Sequence, residues 1–116
     1  MPANPMSLGF VRRAMYTLAD YCGPDVAETL ALVFSELMTN AIRHSGVPEN
    51  DPLDVELEIG HSIRGGVSDR GPGFEPGGHS RLPSAEGGFG LRIVDRLAKK
   101  WGVERSDTRS TVWFEL

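Results

Sequence analysis

The spacing of apolar residues changes partway along this chain, and that change constrains the layers it can build. Val26, Leu30, Val33, Leu37 and Ala41 recur three and four apart, the period of a helix with one buried stripe. Leu53, Val55, Leu57 and Ile59 instead alternate with Asp54, Glu56 and Glu58, the period of a strand with one wet face. An earlier helical stripe of Leu8, Val11, Met15, Leu18 and Cys22 runs from Ser7, a plausible N-cap, to a stop at Gly23-Pro24. Asp25 is expected to cap the second helix, which ends near Ser45-Gly46. His61-Ser62 leads into a second strand with Ile63, Gly65 and Val67, where Gly65-Gly66 marks a bulge or a close backbone approach. A third helical stripe is expected from Leu91, Val94, Leu97, Ala98 and Trp101. Residues 103–106 and 111–116 read as a closing hairpin, and residues 1–5 as an irregular lead-in. The sum is an α+β fold: a two-layer sandwich whose mostly antiparallel sheet is covered on one face by about three helices.

A chain of 116 residues predicts one domain with a single core. A net charge of −4 gives no general attraction to nucleic acid or to an anionic membrane, so neither is expected as a partner. Cys22 is the only cysteine, which removes any internal disulfide and fits a reducing compartment. The three histidines lack zinc-ligand spacing. No apolar run approaches the roughly 20 residues of a membrane span, and no signal pattern opens the chain, so a cytoplasmic location is expected.

Three short stretches carry chemistry. In Glu36-Leu-Met-Thr-Asn40, at about 100° per residue, Asn40 lies about 40° round the helix from Glu36, and Arg43 returns to the same face. An amide oxygen suits Mg²⁺, a carboxylate can polarise a hydroxyl, and a guanidinium can grip phosphate oxygens. Asp69 closes a strand and enters Gly71-Pro72-Gly73. Its carboxylate can accept from an exocyclic amine such as adenine N6, while the glycines let the ring approach the backbone. Gly87-Gly88-Phe89-Gly90 precedes Leu91 and would place free backbone N–H groups at a helix N-terminus. Each pattern alone is as readily a solvated helix face, a strand-ending turn or a plain loop. Their order and context, helix then strand end then loop into helix, bind them into one reading.

The chain resembles the nucleotide-binding fold shared by gyrase-type ATPases, sensor histidine kinases and DNA mismatch-repair ATPases, the GHKL or Bergerat fold. Within that group it is most similar to the small anti-sigma-factor serine kinases. The resemblance rests on Ser35-Glu36-Leu-Met-Thr-Asn40-Ala-Ile-Arg43-His44, on Val67-Ser-Asp69-Arg-Gly71-Pro-Gly73-Phe74, on Glu86-Gly87-Gly88-Phe-Gly90-Leu-Arg92-Ile-Val94, and on Ser110-Thr111-Val-Trp-Phe-Glu115. It implies ATP or ADP as ligand, Mg²⁺ at Asn40 and Glu36 as general base. It further implies Arg43 at phosphate, Asp69 at adenine N6, Gly71 and Gly73 shaping the base pocket, and Thr111 assisting at the adenine through water. Residues 74–88 would form a lid, with Gly88 and Gly90 at its hinge.

The implied function is an ATP-dependent serine/threonine-protein kinase that phosphorylates an anti-anti-sigma protein and controls a sigma factor, with a homodimer compatible with it. Two stretches depart from the kinase pattern. Ala85 and Glu86 stand where such kinases carry a basic residue before the glycine pair, leaving Arg81 as the interior candidate. Residues 1–6 are too short and proline-broken for the extra strand that relatives place before the first helix. The alternative expectation is therefore a non-catalytic module that senses ATP or ADP and binds a partner.

Overall fold

A computed structural model of the chain describes residues 1–44, 52–69, 91–106 and 109–116, apart from the side chains of Arg43 and His44. Helix α1 (Pro5–Thr17) is capped by Asn4 and not by Ser7. The Asn4 side-chain oxygen accepts from the N–H groups of Met6 at 2.9 Å and Ser7 at 3.1 Å. Pro5 explains the earlier start, because its fixed φ and missing N–H suit the first helical position. Ser7 is buried within the helix. The helical stripe breaks after Thr17, and a single turn, α2 (Ala19–Cys22), follows. Gly23, with φ of 93°, then reverses the chain into α3 (Pro24–His44), so Asp25 lies inside the first turn.

Strands β1 (Leu53–Ile59), β2 (Ile63–Asp69), β3 (Lys100–Arg105) and β4 (Ser110–Glu115) form an antiparallel sheet in the order β1-β2-β4-β3. Helix α4 (Arg92–Leu97) is shorter than its stripe suggests. Ala98 is already extended, at φ −88° and ψ 142°, and Trp101 belongs to β3 opposite Phe114. Its indole N–H reaches back to Asp95 at 2.8 Å, so the aromatic at helical spacing still touches α4 from the strand.

Gly65 and Gly66 pair without interruption on both sides of β2. They mark close approach, not a bulge: a Cβ on Gly65 would lie 2.8 Å from Phe114 Cζ and 2.9 Å from the Glu56 carbonyl oxygen. The core forms where α3 packs on the sheet, with Leu30, Phe34, Leu37 and Met38 meeting Val67, Val112 and Phe114. The lead-in is not wholly irregular. Met1 exchanges two hydrogen bonds with Leu53, at 2.6 and 2.7 Å, and Pro2 bridges Pro52, which covers the first residue of edge strand β1. No helix among the described residues is long and apolar enough to cross a membrane.

Candidate functional site

Helix α3 is fixed by burial of its apolar stripe, and that stripe determines where its polar residues stand. Glu36 is half-buried at the edge of the core, and Asn40, one turn later, is only 7% exposed. Burial pushes the Glu36 carboxyl above its ordinary pKa, because leaving water disfavours the ionised form. The side-chain oxygen of Asn40 is buried and has no hydrogen-bond partner among the described residues. A buried amide oxygen without a partner costs free energy, so its retention in a well-filled helix face points to a ligand.

That oxygen fits Mg²⁺, a hard cation that takes few protein ligands and completes its octahedron with water and phosphate oxygens. Among the described residues no group of three or more His, Cys, Asp or Glu side chains is placed to hold a metal ion. Among the described residues, Asn40 is the one that would hold such a cation.

The sheet contributes the other end. Helix α3 packs against β2, whose last residue, Asp69, is 5% exposed. Side chains alternate across a strand, so Asp69 shares a face with Val67, the core side beneath the helices. Its cross-strand partner on β4 is Ser110, also buried and on the same face as Val112 and Phe114. Thr111 is placed otherwise. It pairs with Ser68 on the opposite face of the sheet, and the two hydroxyls share a hydrogen bond of 2.7 Å. The hydroxyl beside Asp69 is therefore that of Ser110, which the sequence motif alone did not single out. The signal was strand parity: once Asp69 is taken as inward, its register partner is inward too.

Gly71, Gly73, Gly88, Gly90, the segment 74–88 and the Arg43 side chain lie outside the described residues. Arg92 opens α4 and is exposed, as a surface residue would be.

A helix presenting an acid and an amide one turn apart, laid on an antiparallel sheet whose central strand ends in a buried aspartate, defines a nucleotide-binding α+β fold of the GHKL kind. The chain belongs to the histidine kinase-like ATPase domain family, whose description it matches over residues 1–116. Among solved structures it is similar to the histidine kinase domain of the blue-light activated histidine kinase from Erythrobacter litoralis EL346, with a TM-score of 0.61 and 23% identity. That match covers 100% of this chain and 65% of the other, so the chain spans about two thirds of that domain's length. No curated protein matches the sequence.

Proposed function

We propose that this chain is the ATP-binding and catalytic domain of a regulatory serine/threonine kinase of anti-sigma type, acting on an anti-anti-sigma partner and so controlling a sigma factor. The observation that carries the reading is the buried Asn40 oxygen, without a partner among the described residues, one turn from a carboxyl whose pKa is raised by burial. Asp69 accepts from the exocyclic amine of adenine, with the Ser110 hydroxyl beside it. Asn40 would hold Mg²⁺, which when bound would supply positive charge at the triphosphate. Glu36 takes the proton from the partner's serine or threonine hydroxyl as that oxygen bonds to the γ-phosphorus. The bond between this phosphorus and the β–γ bridging oxygen breaks, and ADP leaves. A carboxyl whose pKa is raised toward the operating pH is a stronger base for that proton.

Glu36→Gln tests the assignment. Transfer of labelled phosphate from ATP to candidate partner proteins should fall by about 10²–10⁴-fold, while ATP affinity stays within about twofold. The same variant has a signature in stability. Because the folded-state pKa is raised, the folded protein binds more protons than the unfolded chain, and Glu36 costs stability once it must ionise. Glu36→Gln should therefore melt higher than wild type at neutral pH without nucleotide. That advantage should shrink as pH falls through the carboxylate range.

A second reading, a nucleotide-sensing module without transfer, is favoured by Ala85 and Glu86 at the position where such kinases carry a basic residue. Stabilising charge on the transferring group is much of phosphoryl-transfer catalysis. Under this reading Glu36→Gln leaves partner control intact, and no phosphate is transferred even though ATP binds normally.

A further inference from the structure

The face of the sheet turned away from the helices carries an open trough of about 740 Å³, which the nucleotide reading leaves unused. Three registered rows build it. The middle row runs Glu56, Gly66, Trp113, Gly102 across β1, β2, β4 and β3. Trp113 is half-buried there, and its ring leans toward β3: a Cβ on Gly102 would stand 3.0 Å from both Cζ2 and Nε1 of the indole. The atoms nearest a Cβ on Gly66 would be the Val112 carbonyl oxygen at 3.0 Å and Cα and Cβ of Trp113 at 3.4 and 3.5 Å. Gly66 is thus a bare floor between an aromatic wall and Glu56. One end is lined by the Ser68–Thr111 hydroxyl pair, and the other by Arg64, held 3.5 Å from Glu115.

An antiparallel sheet is ordinarily polar on its solvated face, so acidic side chains alone would mean little. The central aromatic between two glycines is different. Gly102 makes room for the Trp113 ring itself, whereas Gly66 leaves the strand bare beside it, a place where another chain can come close. The charge is also unbalanced. Asp54 is bound by Arg109 at 2.7 Å and Glu115 by Arg64, whereas Glu56, Glu58 and Glu104 are exposed and make no ion pair among the described residues.

We infer that this trough docks an extended, arginine-bearing segment of a partner protein, with one guanidinium stacked on Trp113 and its neighbours meeting Glu56, Glu58 and Glu104. A planar guanidinium is the cation that combines aromatic stacking with paired carboxylate hydrogen bonds. Because Ser68 and Thr111 on this face are chain neighbours of Asp69 and Ser110 on the other, the segment binds directly behind the strand ends of the inner site.

The test uses the whole chain without nucleotide, titrated with a blocked peptide in which three arginines alternate with glycines, and with its citrulline counterpart. Calorimetry should show binding of the arginine peptide only. In nitrogen–proton correlation spectra the indole N–H of Trp113 should shift, while that of Trp101, bonded to Asp95, stays. Glu56→Lys and Glu104→Lys, both at exposed positions where folding is not at risk, should together weaken binding by about tenfold or more. Absence of binding, equal binding of the citrulline peptide, a shift confined to Trp101, or indifference to both reversals would each overturn the inference. None of these outcomes bears on ATP binding.

Discussion

Asp69→Asn should lower the affinity for ATP and ADP by about 100-fold while leaving the protein folded. The carboxylate is buried at the end of β2, where an adenine amine would have to find a charged acceptor. A hydrogen bond to an ionised group contributes about 1.5–3 kcal/mol net, and a mismatched buried donor adds a further penalty. Asparagine keeps the shape but can turn an NH₂ toward the adenine NH₂, so donor faces donor. About 2.7 kcal/mol corresponds to a hundredfold change in dissociation constant. Calorimetric titration of both proteins with ADP measures it directly. A variant that binds as well as wild type would remove Asp69 from the base pocket, and the orientation of the whole site would have to be reversed.

Phe114→Ala should cost about 3–5 kcal/mol of folding stability. The ring is fully buried and meets Phe34 of α3 edge to face, with centroids 5.2 Å apart and planes at 81°. It also fills the space over Gly65, where no side chain exists to close the gap. Truncation therefore opens a cavity at the junction of the helix layer and the sheet, bounded on one side by backbone that cannot move in. A domain of this size has a total stability of about 5–15 kcal/mol, so the variant should sit near the threshold of unfolding. Urea denaturation checks the size of the effect. A loss below about 1 kcal/mol would mean that α3 is not held to the sheet through this contact.

Local periodicity made Glu36 and Asn40 legible in the sequence, because a helix converts a spacing of four into a shared face without help from the rest of the fold. The place of Asp69 at the end of a strand was legible too, as the last residue of the second apolar run. What failed to show was whatever depended on long-range pairing. Thr111 and Ser110 are adjacent, and only the register of β4 on β2 decides which hydroxyl shares the face of Asp69. Trp101 continues the spacing of Leu97 and reads as helical, yet pairing with Phe114 draws it into β3. Ser7 has the chemistry of a cap, but Pro5 moved the start of α1 upstream to Asn4. The trough on the outer face was invisible for the same reason. Glu56, Gly66, Trp113 and Gly102 come from four separate strands and meet only through the sheet.

The proposed function requires that the helix–sheet face bind a nucleotide and that Asn40 help hold its metal. It is tested most directly by titrating ATP into wild type and Asn40→Ala, with and without Mg²⁺, in a calorimeter. Wild type should bind ATP more tightly with Mg²⁺ than without it. Asn40→Ala should lose that difference and bind, in both conditions, about as weakly as wild type does without the metal. Absence of ATP binding to wild type, or an Mg²⁺ dependence that survives in Asn40→Ala, would contradict the account.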